Sequence, residues 1–167
     1  MIRPCRADDF ETMLEIVNDA AQAYRGVIPA DCWHDPYMPR GQLAAEIAAG
    51  VAFQGIEEDG RLAGIMGLQE RSEVTLIRHA YVRTASRGRG LGARLLREVE
   101  SLAAHPILIG TWRDADWAIR FYVRHGYRVL DRTETRRQLA AWWQVPPRQA
   151  DTSVVLAAAG WSGPAAA

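Results

Sequence analysis

Midway along the chain, the stretch SRGRGLGARLL (residues 86–96) sets three glycines and three arginines at the mouth of an apolar run. Behind it, Leu91, Leu95, Leu96, Val99 and Leu102 recur at helical spacing. In front stands VTLIRHAYV (74–82), and beyond the helix PILIGTW (106–112), two apolar runs that read as strands. A strand, a glycine-rich turn, an amphipathic helix and a second strand, in that order, direct the chain toward the α/β folds.

The residue types of the turn narrow what it can hold. Gly88, Gly90 and Gly92 free the backbone for positive φ and leave its N–H groups unobstructed. They do so at a helix N-terminus, where the macrodipole favours anions. Arg87 and Arg89 can add charge-assisted contacts to phosphate, whereas Arg94, one turn in, reads equally well as solvated. Three phosphate readings compete with a plain basic turn. A nucleotide P-loop needs lysine and then serine or threonine after its second glycine, and neither is present. Gly88, Gly90 and Ala93 fit a loose dinucleotide pattern, G-x-G-x-x-A, but it sits mid-chain and only one strand–helix–strand unit follows. A pyrophosphate cradle for a coenzyme A-like ligand fits more of the chain.

A length of 167 residues with 49% hydrophobic content can bury one core. MIRPCR reads as an edge strand, and ADDFETMLEIVNDAAQAY (7–24) as a helix with an Asp8–Glu11 capping box. RGVIPADCWHDPYMPR (25–40) reads as an ordered loop and QLAAEIAAG (42–50) as a short helix. VAFQGIEE and LAGIMGLQE flank a tight Asp-Gly turn as a β-hairpin. Further on come ADWAIRFYVRHG (115–126), a helix capped by Asp114, the strand YRVLD, the helix TETRRQLAAWWQV (133–145) and a last strand, DTSVVLAAA. The expected domain spans 1–158, with 159–167 as a flexible tail.

Twenty basic and twenty acidic side chains cancel, so no global field draws the chain to nucleic acid or an anionic membrane. Cys5 and Cys32 suggest neither a disulfide framework nor a thiolate metal site. Charges stand where a secretory leader needs apolar residues, and no run approaches the length of a membrane span. These features predict a cytoplasmic protein without metal, nucleic-acid or membrane partners.

Arg87-Gly88-Arg89-Gly90-Leu91-Gly92 resembles the R/Q-x-x-G-x-G motif of the GNAT superfamily of acyl-CoA-dependent N-acetyltransferases. AIRFYVRHGYRV (118–129) is similar to that superfamily's second signature, an alanine, then Phe-Tyr, then a glycine and an aromatic. The order of elements from residue 2 to about 158 resembles the family as well. The resemblance implies an α/β (α+β) domain whose mixed central sheet has about six or seven strands, flanked by helices and splayed to form an acyl-CoA cleft. It implies that Arg87, Gly88, Arg89, Gly90, Leu91, Gly92 and Ala93 cradle the pyrophosphate. Pantetheine then pairs with Ala80-Tyr81-Val82 like an added strand, with PILIGTW as the splayed partner. The activity it implies is direct acetyl transfer from acetyl-CoA to a primary amine, on a small molecule or a protein, in a ternary complex.

Aminolysis of a thioester needs a base, because an alkylamine with a pKa of about 10.4 is protonated at neutral pH. The family likeness implies a backbone N–H near Val82 as the oxyanion donor and Tyr122 as the acid for the departing thiolate. A tyrosine packed against Phe121 in the core is the structural alternative. Two departures stand out: Ala115 occupies a position often held by asparagine, and Leu76 one where some members carry a catalytic glutamate. The base is therefore open among His79, Glu73 and a water chain, histidine as a residue type titrating nearer neutrality. Strand alternation sets His79 with Tyr81 on one face and Arg78, Ala80 and Val82 on the other, unless a bulge intervenes.

The acceptor is expected in YRGVIPADCWHDPYM (24–38), where Tyr24, Asp31, Trp33, His34, Asp35 and Tyr37 can shape a polar, aromatic pocket or simply pack as a loop. Its acids favour a cationic acceptor by Coulomb attraction. Trp142 and Trp143 point to different sides of their helix, one toward the core and the other toward solvent, a homodimer contact or the acceptor. A non-catalytic acyl-CoA-binding regulator, suggested by Ala115 and the missing glutamate, is the competing function.

Overall fold

The structure, a computed structural model, describes residues 1–163. Its strands are β1 (Ile2–Pro4), β2 (Ala52–Glu58), β3 (Arg61–Glu70), β4 (Thr75–Val82), β5 (Ile107–Trp112), β6 (Arg128–Val129) and β7 (Ser153–Ala157). Its helices are α1 (Phe10–Ala21), α2 (Arg40–Ala48), α3 (Leu91–Leu102), α4 (Asp116–Arg124), α5 (Arg132–Trp142) and α6 (Pro147–Asp151). The strands form one seven-stranded sheet in the order β1-β2-β3-β4-β5-β7-β6, antiparallel except where β4 meets β5. The expected mixed sheet is therefore present.

Each helix buries the stripe its sequence carries. Leu91, Leu95, Leu96 and Val99 of α3 pack against Met66, Ile77 and Ile109 on one face of the sheet. Met13, Ile16 and Val17 of α1 and Leu43 of α2 join Phe53 and Ile65 in a second cluster. Leu139 and Trp143 close a third over β7.

Local capping departs from expectation in two places. Asp9 rather than Asp8 holds the entry to α1: its Oδ2 accepts from the Arg6 N–H at 2.7 Å, and both its oxygens accept from the Arg3 guanidinium at 2.7 and 2.9 Å. Ala115, not Asp114, is the N-cap of α4 and supplies no side-chain bond. The helix drawn to Val145 ends at Trp142, because Pro146 and Pro147 cannot donate to a continuing helix, and Pro147 instead starts α6. The expected flexible tail begins too early, since Trp161 is buried against the third cluster with the Arg128 guanidinium 5.3 Å from its ring centroid. Residues 164–167 of that tail lie outside the described residues.

The parallel joint between β4 and β5 is short. Thr75, Leu76 and Ile77 pair with Ile107, Leu108 and Ile109, after which the two strands part while β5 stays paired with β7 as far as Trp112. The closed end is stapled by polar groups. Thr75 Oγ1 donates to Glu70 Oε2 at 2.7 Å and accepts from the His105 N–H at 3.2 Å, while Glu70 Oε1 accepts from the Ala104 N–H at 3.1 Å. Thr75→Val keeps the shape but leaves the buried end of this network unsatisfied, so it is expected to cost about 1–3 kcal/mol in urea unfolding. Wild-type stability in that variant would show that the joint does not depend on the staple.

Candidate active site

The parting of β4 from β5 is accompanied by a bulge on the other edge of β4. Ile65 pairs with Tyr81 but Gly67 with Arg78, so Met66 lies opposite both His79 and Ala80. His79 adopts φ 53°, in the left-handed region, and a Cβ on Gly67 would stand only 2.8 Å from the Arg78 carbonyl oxygen. The close crossing thus requires glycine at 67. The bulge overturns simple alternation: Arg78 joins His79 and Tyr81 on the side of α1 and α2, while Ala80 and Val82 face the α3 cluster.

Beside the open end of β4 lies the glycine-rich turn. Gly88 and Gly90 take φ 76° and 75°, and Gly90 is the N-cap of α3, whose opening bond runs from the Arg94 N–H to Gly90 O at 3.1 Å. The N–H groups ahead of that bond have no helical acceptor and point out of the helix end. Leu91 is buried and anchors the turn. The position of a Cβ on Gly92 is 3.5 Å from the Phe121 ring and 4.0 Å from Val82, so α3, α4 and β4 converge there. Arg87 is held to the end of α1 by a 2.8 Å bond to Ala20 O, and Arg89 lies 3.5 Å from Glu58 with most of its side chain in solvent. The anion-binding groups of this turn are chiefly its backbone donors.

A cavity of about 420 Å³ lies against β4 and β5. Tyr24, Tyr37, Tyr81, Trp112 and Trp143 give it aromatic walls, with Trp112 Nε1 donating to Tyr37 Oη at 2.8 Å. Burial holds the phenols of Tyr24, Tyr37 and Tyr81 above the ordinary tyrosine range, so all three are neutral donors at physiological pH. Gly110 leaves room for the Trp143 indole, which a Cβ there would approach to 3.3 Å.

Of the expected acceptor residues, Tyr24, Asp31, His34 and Tyr37 line the cavity, whereas Trp33 does not and stacks on Tyr37 with ring centroids 5.7 Å apart. Asp35 is exposed and also off the lining. Asp31 is met by Arg148, with N–O distances of 2.8 and 3.1 Å, so its charge is compensated and gives no free attraction for a cation. Glu73 lies in the exposed turn before β4, beyond the closed end of the joint, and is not part of the cavity wall. Tyr122 is buried in the α3 cluster, edge-on to Phe121 and Tyr127. Burial, with the Tyr24 phenol nearby, pushes its hydroxyl well above the usual tyrosine value.

The cavity also contains groups that linear reading missed. Glu46, from α2, accepts from Arg78 Nη2 at 3.0 Å, and its other oxygen lies 3.5 Å from His79 Nε2. Arg78 Nη1 in turn donates to Gln69 Oε1 at 3.1 Å, and Gln69 Nε2 to Ala49 O at 2.8 Å. Burial pushes the Glu46 carboxyl upward, but the neighbouring His79, Arg78 and Arg71 outweigh it and hold the group below its ordinary value. A signal existed: Glu46 is the only charge in QLAAEIAAG and stands three residues after buried Leu43, on the inward face. In the α5–α6 segment the paired tryptophans are marked in the sequence, with the acceptor as one of several destinations for them, whereas Arg148 has no comparable mark, because only the tertiary fold brings it over the cavity.

A mixed sheet split at its one parallel joint, with a glycine-capped helix beside the opening, is the splayed α/β architecture that the sequence resemblance implies. Residues 11–127 match the model of the Acetyltransferase (GNAT) family, and the chain belongs to that family. Among solved structures it is similar to the PaiA N-acetyltransferase from Thermoplasma acidophilum in complex with coenzyme A, at 18% identity, TM-score 0.70 and coverage of 95% of this chain and 97% of that one. It is also similar to the ribosomal-protein-S18-alanine N-acetyltransferase from Escherichia coli, at 14% identity and TM-score 0.68, covering 95% and 92%. A third is a GNAT family acetyltransferase from Elizabethkingia anophelis with acetyl-CoA bound, at 18% identity and TM-score 0.59, covering 94% and 95%. No curated protein matches the sequence.

The Glu46–Arg78 pair makes a stability prediction. Arg78→Leu strands a half-buried carboxylate and is expected to cost about 3 kcal/mol at neutral pH, by chemical denaturation. Because the native Glu46 carboxyl titrates below its ordinary 4.5, its contribution is complete above that value and is lost as pH falls through the native one. The gap between variant and wild type should therefore close in acid. A gap that is constant with pH would assign the loss to packing instead.

Proposed function

We propose that this chain transfers the acetyl group of acetyl-CoA to a primary amine by direct attack in a ternary complex. The observation that carries the reading is the parting of β4 and β5 after Ile77 and Ile109, beside the glycine-capped N-terminus of α3. Pyrophosphate sits on the backbone donors of residues 88–93, and pantetheine lies along the unpaired edge of Ala80-Tyr81-Val82 as an added strand. Two of the similar structures hold coenzyme A or acetyl-CoA, which supports the choice of co-substrate. The aromatic cavity receives the acceptor.

In the reaction the ammonium first gives a proton to His79, which lines the cavity. The free amine attacks the thioester carbonyl carbon, and the developing oxyanion is met by a backbone N–H near Val82. The C–S bond then breaks, Tyr122 donates its proton to the thiolate, and the amide and free coenzyme A leave. Tyr122 regains a proton as His79 releases the one it took. A buried phenol is protonated at neutral pH, the form a donor requires.

Calorimetric titration with acetyl-CoA, followed by a thiol-release assay over a panel of small and peptide amines, tests the reading. Gly90→Val should abolish acetyl-CoA binding by obstructing the donors, with a folding cost of about 1–2 kcal/mol from its positive φ. Undiminished affinity would remove the cradle. Tyr122→Phe should lower kcat by about 100-fold or more with acetyl-CoA affinity unchanged, and equal turnover would remove the acid. Tight binding with no turnover on any amine would instead make the protein an acyl-CoA-binding regulator.

A further inference from the structure

We propose that Glu46 is the positioning residue for His79, fixing its imidazole with the proton on Nε2 and the lone pair on Nδ1. The proposal rests on the reading of His79 as the base. A histidine's own preference for Nε2–H over Nδ1–H is small, so in a folded protein the tautomer is fixed by what each nitrogen faces.

Nε2 of His79 is buried and makes no hydrogen bond of ordinary geometry, and Glu46 Oε2 stands 3.5 Å from it. An ionised carboxylate only accepts hydrogen bonds, so the nitrogen turned toward it carries hydrogen. Nδ1 is then the atom left to exchange a proton with the cavity. The ring cannot easily reverse these roles. It stacks on Phe53 with centroids 6.1 Å apart, and its backbone is held at φ 53° by the bulge. Glu46 is equally constrained, since Arg78 holds its other oxygen at 3.0 Å and is itself tied through Gln69 to the end of α2 at Ala49 O. When Nδ1 takes the proton from the acceptor ammonium, the positive ring faces a carboxylate already in place. No rearrangement is needed, and the proton is the only atom transferred.

Glu46→Gln tests this with little change of shape. Arg78 offers only donors, so the amide oxygen turns to Arg78 and its NH2 group to His79 Nε2. The tautomer must then invert, burying the lone pair on Nε2. The measurement is the ¹⁵N spectrum of the imidazoles in the whole protein at about pH 9, where an ordinary histidine is neutral, with His79 assigned by its absence in His79→Gln. The expected result is protonated Nε2 in the wild type and protonated Nδ1 in Glu46→Gln. In parallel, kcat is expected to fall about 100-fold or more while acetyl-CoA affinity stays unchanged and thermal stability drops, because Arg78 loses its counter-charge; the corresponding change in a serine-protease triad costs about 10⁴. Protonated Nδ1 in the wild type overturns the proposal, as does an unchanged tautomer with full turnover in Glu46→Gln, and the wild-type spectrum decides even if the variant does not fold. Failure of the base reading is separate: His79→Gln would then retain turnover, whatever the spectra show.

Discussion

Three residue pairs of parallel ladder, Thr75–Ile77 with Ile107–Ile109, join the two halves of the sheet. The candidate site opens where that ladder stops. Had β4 and β5 stayed paired, their backbone groups would be spent on each other, and no edge would remain for a ligand to pair with. The joint survives its shortness because it is gripped from both faces. Ile77 and Ile109 lie under α3, whose four buried side chains each contribute roughly 1.5–3 kcal/mol, and Leu76 and Leu108 lie in the cluster beneath Trp143 and Leu139. The Thr75–Glu70 staple closes one end, and the opening is confined to the other.

The bulge at His79 and Ala80 belongs to the same economy of backbone groups. A non-glycine residue at positive φ costs about 1–3 kcal/mol, and the surroundings of His79 supply reasons for it to stay. Phe53 stacks on its ring, Gly67 leaves space where β3 passes the Arg78 carbonyl, and Glu46 faces its buried nitrogen. Histidine is also among the side chains that tolerate this region best. The consequence is chemical as much as geometric: Arg78, His79 and Tyr81 share a face that an unbroken strand would have divided between them.

What the sequence reveals follows from how local each feature is. The α3 stripe, the β2–β3 hairpin and the Gly88–Gly90 turn are periodicities or positive-φ requirements within a dozen residues, and they read directly. The bulge is a two-strand property: it depends on Gly67 meeting Arg78 across β3 and β4 next to His79, and no one of these residues announces it alone. Asp31 illustrates the cost of reading a charge by itself, because its partner Arg148 is 117 residues away and cancels the attraction that the loop sequence suggests. Trp143 escaped a single assignment for a related reason, being at once part of the core under β7 and part of the cavity wall.

These distances along the chain divide the site into two unlike halves. The cradle side is built from the continuous stretch 80–92, with Phe121 and Tyr122 of α4 packed beside it, and its geometry is set by helix ends and glycine backbone. Its donors are main-chain N–H groups, which no surface substitution can remove. The cavity side is assembled from α1, the 25–40 segment, α2, β5 and the α5–α6 connection, and its character comes from side chains. Asp31 and Arg148 join two of these segments through an exposed ion pair, of a kind that contributes little to stability. Side chains there stand on elements other than the α3 turn, so they can change without altering its backbone donors. On the proposed function, selectivity for the acceptor resides in the half of the site that local sequence reading sees least well.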